Sequence, residues 1–118
     1  MTNSNAPSEM VQENLDHYNQ RDIEGFMNSF SDNIAIYSFG NSSPTAKGLD
    51  EVRKIYTDLF EKSPNLNSVI KNRIVFDNKV IDHELITGRL ESPDQVELVL
   101  IYEVKQERIS KITVIRQS

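Results

Sequence analysis

V-E-L-V-L-I-Y-E-V, residues 96–104, decides the fold. Successive side chains of an extended chain point to opposite faces. Val96, Leu98, Leu100, Tyr102 and Val104 therefore share one face, and Glu97, Val99, Ile101 and Glu103 share the other. The first face is apolar apart from one phenol. The second has a two-residue apolar centre with charged ends. That pattern predicts a strand of a sheet packed on helices on one side, with a modest apolar patch on the other.

Outward from this stretch the period of two continues. Strands are expected over Leu66–Phe76, Lys79–Leu90, Gln95–Lys105 and Arg108–Gln117. Asp77-Asn78 is a two-residue hairpin turn, Ser92-Pro93-Asp94 makes the next turn, and Gln106-Glu107 makes a third without glycine. Connections this short force antiparallel neighbours, so the second half is a four-stranded meander.

Toward the N-terminus the period becomes helical. Ser8 is the expected cap of a first helix, on which Val11, Leu15 and Tyr18 form one stripe, flanked by Asn14 and His17. Asn19-Gln20-Arg21 breaks the pattern. Asp22 caps a short second helix with the stripe Ile23, Phe26, Met27 and Phe30, in which Gly25 weakens the helix but permits close packing. A strand over Ile34–Phe39 puts Ile34, Ile36 and Ser38 on one face and Ala35, Tyr37 and Phe39 on the other. After a Gly-, Ser- and Pro-rich loop at Gly40–Lys47, a third helix starts at Gly48. It carries Leu49, Val52, Ile55, Tyr56, Leu59 and Phe60, and Pro64 ends it. The fold class is therefore α+β: three N-terminal helices packed on a curved antiparallel β-sheet. Three short helices cannot cover such a sheet end to end, so a conical internal cavity is expected between the layers.

With 118 residues the chain reads as a flexible start over 1–7 and a single domain over 8–118. There is no cysteine, hence no disulfide, thiolate metal site or thiol nucleophile. A net charge of −5 and a pI near 5.0 argue against nucleic acid or an anionic membrane as partner. No apolar run approaches the ~20 residues that span a bilayer, and the first residues lack the basic and apolar regions of a signal peptide. A cytoplasmic location is expected. No motif asks for a metal or other cofactor; Asp82-His83-Glu84 diverges to alternate faces, with no second histidine in reach.

The run L-D-H-Y-N-Q-R-D-I-E-G-F-M-N-S-F-S-D-N-I-A-I-Y, Leu15 to Tyr37, resembles the opening of SnoaL-like domains of the nuclear transport factor 2-like superfamily. N-K-V-I-D-H-E at Asn78–Glu84 and R-I-S-K-I-T-V-I-R at Arg108–Arg116 match it too, so the resemblance runs from about Met10 to Arg116. It implies a cystatin-like cone but no single activity, since the superfold hosts isomerases, cyclases, hydrolases and non-enzymes. The Asp base, Tyr donor and late Asp of ketosteroid isomerases would fall near Ser38, Asn14 and Leu100, so none is present. Nor does the closing strand, with Gln117, supply the carboxylate of epoxide hydrolase-like members. The resemblance also implies a homodimer formed through the sheet, by way of Val99 and Ile101 with Val75 or Val114 beside them.

The candidate chemistry turns on which face of Lys79–Leu90 points inward. If His83 lines the cavity, it is the candidate general base, or else a hydrogen-bonded core histidine. If Asp82 and Glu84 line it, two carboxylates one pleat apart enter the pocket and one has a raised pKa. Both acids are expected to face outward, into solvent. With His83 as base, Tyr18 or Tyr102 donates to a developing enolate, and Arg116 clamps an anion or pairs with a neighbouring acid. Asn14, Tyr37, Ser38, Tyr56, Phe60 and Leu100 complete the expected binding site. The expected partner is a small hydrophobic or carboxylate-bearing ligand, and the expected chemistry is proton transfer beside a carbonyl. A non-catalytic binding or interaction dimer is the alternative.

Overall fold

The structure is a computed structural model and describes residues 6–117. Its helices are α1 (Ala6–Asn19), α2 (Ile23–Met27) and α3 (Leu49–Glu61). Its strands are β1 (Phe30–Ser38), β2 (Ala46–Lys47), β3 (Asn67–Phe76), β4 (Lys79–Thr87), β5 (Val96–Lys105) and β6 (Arg108–Arg116). They form one sheet in the order β2-β1-β6-β5-β4-β3. α1 begins at Ala6, ahead of the expected Ser8 cap. Of the expected flexible start, residues 1–5 lie outside the described residues, and Ala6 and Pro7 already belong to the helix.

The meander is present, with β3·β4, β4·β5 and β5·β6 all antiparallel. Gln106 and Glu107 both take positive φ, 51° and 62°, so this turn reaches the left-handed region that hairpins favour without a glycine. The expectation of a wholly antiparallel sheet is corrected at β1, which pairs with β6 in parallel, Ser38 opposite Val114. No hairpin joins these strands. The third helix and the whole meander lie between them, so chain connectivity does not dictate their sense. The loop over Gly40–Lys47 also hides β2, which adds an edge through Ile36 and Ala46. Register shifts occur in the β1·β6, β3·β4 and β5·β6 ladders, and such irregularities bend strands.

β4 stops at Thr87, short of the expected Leu90. Gly88 turns left-handed at φ 74°, and a single 3-10 turn follows at Arg89–Glu91. A Cβ on Gly88 would stand 2.3 Å from the backbone oxygen of Asn65, so only glycine lets this turn lie against the segment after α3. Leu90 N–H fixes it further by donating to Ser63 Oγ at 2.8 Å.

The helices pack through an aromatic cluster, in which Phe26 lies 4.6 Å from Tyr56 and 5.5 Å from Phe60 between ring centroids. The polar break after α1 is a clamp onto β3. Asn19 Nδ2 donates to the Ser68 carbonyl at 3.0 Å, Ser68 N–H donates back to Asn19 Oδ1 at 2.7 Å, and Arg21 donates to the Leu66 carbonyl at 2.9 Å. Asp22 caps α2 by accepting from Gly25 N–H at 3.1 Å.

Directly paired residues share a face, so the ladders fix the parity of every strand. Glu84, Leu98 and Arg116 form one row across β4, β5 and β6; Asp82, Leu100 and Val114 form the next; Val80, Tyr102 and Ile112 form the third. These rows face the helices, and Val80, Asp82, Glu84 and Ile86 are all buried. The expected outward placement of Asp82 and Glu84 is therefore reversed, and His83 goes to the opposite face. There Val99 stands beside His83 and Ile115, and Ile101 beside Ile81 and Thr113. Val75 and Val114 do not flank that outer patch, because they pair with the inward Val80 and Leu100.

Candidate functional site

A cavity of about 270 Å³ lies between α1, α3 and the inner face of the sheet. Its sheet wall includes Glu84, Leu98, Leu100, Tyr102, Val114 and Arg116; its helix wall includes Asn14, Tyr18, Tyr56 and Leu59. Arg89 and Leu90 reach it from the turn after β4.

Two acids enter the interior from β4, and their surroundings differ. Asp82 is fully buried and held in a fork by Arg73, with Nε to Oδ1 at 2.6 Å and Nη2 to Oδ2 at 2.9 Å. Arg73 Nη1 also donates to Gln12 Oε1 on α1 at 2.9 Å, so the pair ties helix to sheet. A buried charge persists only when matched in this way. Glu84, two residues on, has hydroxyl partners. Ser68 Oγ donates to Oε1 at 2.8 Å and Tyr102 Oη donates to Oε2 at 3.2 Å.

Burial pushes the Glu84 carboxyl from its ordinary 4.5 up to about 7. The Ser68 hydrogen bond opposes this, the charge of Asp82 adds to it, and Tyr102 and Arg73 pull it down again. The cavity thus holds a carboxyl whose pKa burial pushes into the range a general acid or base requires. Burial also raises the tyrosines. Tyr56 is pushed up to about 12, with the charge of Glu84 adding and those of Arg89 and Arg116 opposing. Tyr18 and Tyr102 rise as well, by burial first. All three stay neutral hydroxyl donors.

Of the residues expected at the site, Asn14, Tyr18, Tyr56, Leu100, Tyr102 and Arg116 line the cavity. Asn14 is anchored by donating to the Phe26 carbonyl at 3.0 Å. Phe60 is buried in the aromatic cluster, 5.6 Å from Tyr18, and does not line it. Tyr37 faces the other side, beneath Lys111 Nζ at 4.9 Å from the ring centroid. Ser38 shares a separate shallow polar depression with Tyr37, though its Oγ accepts from Arg116 at 3.1 Å. His83 is excluded from the cavity: it is half-exposed on the outer face and hydrogen-bonds Glu97. Its expected role as the base of this pocket is corrected by that placement. Glu84 enters by the alternative parity of β4, Ser68 reaches it from β3, and Thr45, Asp58 and Arg89 line the cavity without having been expected there. Among the described residues, no group of three or more His, Cys, Asp or Glu side chains is gathered to hold a metal ion.

A family model described as the SnoaL-like domain matches residues 11–112. Solved structures share the fold at low identity. An uncharacterised cystatin-fold protein from Novosphingobium aromaticivorans is 19% identical with a TM-score of 0.85, covering 98% of this chain and 100% of that one. A provisionally named ketosteroid isomerase from Kribbella flavida is 13% identical with a TM-score of 0.84, covering 100% and 82%. A provisionally named SnoaL-like polyketide cyclase from Jannaschia is 16% identical with a TM-score of 0.77, covering 94% and 85%. No curated protein matches the sequence. Likeness at such identities establishes the fold alone.

Proposed function

This chain belongs to the SnoaL-like domain family, and on that premise we propose that its cavity binds a small hydrophobic carbonyl compound and moves a proton beside the carbonyl. The observation that carries the proposal is Glu84: a buried carboxyl lining the cavity, bonded among the described residues only to hydroxyls, with a pKa pushed up to about 7. In the reading offered here, ionised Glu84 takes a proton from the carbon next to the carbonyl. The C–H electron pair forms a C=C bond, and the carbonyl π pair moves onto oxygen. The Tyr18 or Tyr56 hydroxyl donates to that oxygen, which favours the enolate in a site walled by apolar groups. Protonated Glu84 then returns its proton to carbon. Tyr102 and Ser68 hold the carboxyl in place. The names of the Kribbella and Jannaschia neighbours, an isomerase and a cyclase, agree with acid–base work of this kind.

The test is deuterium exchange at the α-carbons of 2-tetralone, a compact hydrophobic ketone, followed by NMR in heavy water. The native chain is expected to accelerate exchange over buffer, and Glu84→Gln to return it to the buffer rate. A His83→Gln variant is expected to keep full activity. Tetralone that binds without any gain in exchange would leave a ligand-binding protein and remove the enzyme.

We also propose that the chain forms a two-fold homodimer through the outer face of its sheet. Val69 and Ile74 are more than half exposed, and Val99 and Ile101 extend the apolar surface across β5. Apolar faces of this kind mark association sites. Sedimentation equilibrium is expected to give twice the chain mass, and Val99→Glu to give the monomer.

A further inference from the structure

We propose that Arg89 and Arg116 form a carboxylate-binding subsite at the mouth of the cavity, so that the substrate is an apolar keto acid bound with its carboxylate outward and the carbon beside its ketone toward Glu84. This rests on the reading of Glu84 given above. The two arginines reach the same cavity from different segments, the turn after β4 and the end of β6. Neither is ion-paired to a carboxylate among the described residues. Arg116 donates one N–H to Ser38 Oγ at 3.1 Å, an uncharged partner. The other acid lining the cavity, Asp58, is paired with Lys62 at 3.2 Å and so does not neutralise them. The chain carries 18 acidic against 13 basic residues, yet among the described residues two guanidinium groups at one opening have no carboxylate partner. A guanidinium accepts a carboxylate through two parallel hydrogen bonds, which fixes direction as well as position.

The backbone that carries Arg89 to the cavity is unusual. Gly88, Leu90 and Glu91 around it all have positive φ, 74°, 53° and 60°. Left-handed conformations at bulky residues such as leucine are costly and persist where the surroundings impose them. Here the Leu90–Ser63 hydrogen bond does so. The charges of both arginines also reach the Tyr56 hydroxyl, so they act on the cavity and not only on bulk water.

The sheet sets the length of the substrate. Glu84, Leu98 and Arg116 stand in one row on neighbouring strands. Two strand spacings separate the backbones of Glu84 and Arg116 by about 10 Å. Leu98 supplies apolar contact between them. Ionised Glu84 repels an anion at its own end of the row, so the carboxylate of the substrate is directed to the arginines.

The test compares 1-naphthaleneacetate with 1-naphthaleneacetamide, which share a body and differ in charge, by titration with NMR detection of the Leu100 methyl groups. The native chain is expected to bind the acid about tenfold more tightly than the amide, the size of one charge-assisted contact. Arg89→Gln and Arg116→Gln are each expected to weaken the acid and leave the amide within about twofold, and the double variant to abolish the preference. Equal affinities in the native chain, or a preference that survives the double variant, would overturn the subsite while leaving the cavity as a binding site. If neither compound binds or moves Leu100, the pocket reading itself fails and takes the subsite with it.

Discussion

Asp82 and Glu84 stand two residues apart on one buried face of β4, and only Asp82 meets a guanidinium. The difference divides their work. Asp82 ties β4 to Arg73 and, through it, to Gln12 on α1. Glu84 has hydroxyl partners among the described residues, and their hydrogen bonds do not offset the burial that pushes its carboxyl up to about 7. One strand presents both a structural ion pair and the proposed proton carrier, because a pleat repeats its inward face every second residue.

The unmatched acid makes stability depend on pH. The folded pKa of Glu84, about 7, lies above its ordinary 4.5. Between those values the folded chain holds a proton that the unfolded chain has lost. The stabilisation is complete below pH 4.5, declines as pH rises to about 7, and is gone above it. Its size is roughly 3 kcal/mol. Urea titrations at stepped pH should show that decline in the native chain and a shallower profile in Glu84→Gln. Equal slopes in the two would contradict it.

The matched acid makes a different prediction. Arg73→Ala strands a buried charge on Asp82 and should cost about 3–5 kcal/mol. Replacing both partners by apolar residues, Arg73→Met with Asp82→Leu, should recover most of that loss. Thermal melts of the single and double variants decide the matter, and an additive double variant would show that the pair is not coupled.

Tyr102→Phe removes a donor to Glu84 with almost no change of shape. Its hydrogen bond favours the ionised carboxyl, so its loss should raise the Glu84 pKa further and cost about 1 kcal/mol of stability. A pKa that stays put or falls in a side-chain NMR titration would mean that the Tyr102 contact does not act on Glu84.

Gly88→Ala tests whether the turn at the mouth is built or incidental. A methyl group would meet the Asn65 carbonyl, which belongs to the backbone and cannot rotate away, at a residue with φ 74°. A loss of about 1–3 kcal/mol is expected in denaturant titration. An unchanged midpoint would show that the turn is free to move off.

Much of the fold was legible in the chain. The alternation at Val96–Val104 and the tight turn at Asp77-Asn78 are local signals, and the strands and hairpins they predict are present. The parallel β1·β6 pair is not local, and no turn encodes it. The site was legible in its residue types but not in its parity. Ile81 and Leu85 flank His83 as symmetrically as Val80 and Ile86 flank the acids, so hydrophobicity cannot choose the inner face of β4. One signal was available. Counting equal steps back from the turn at Asp77-Asn78 places Arg73 opposite Asp82, and an arginine facing an aspartate is the pairing that allows an acid to be buried. Arg89 carried no such signal, because its approach to the cavity depends on a left-handed turn docked on a segment distant in sequence.

Glu84 is the proposed proton carrier of this cavity. The most direct measurement is a carbon-13 NMR titration of its side-chain carboxyl, assigned by Glu84→Gln, with and without 2-tetralone. A midpoint near 7 that shifts when the ketone binds is expected. A midpoint near that of an ordinary glutamate, indifferent to the ketone, would contradict it.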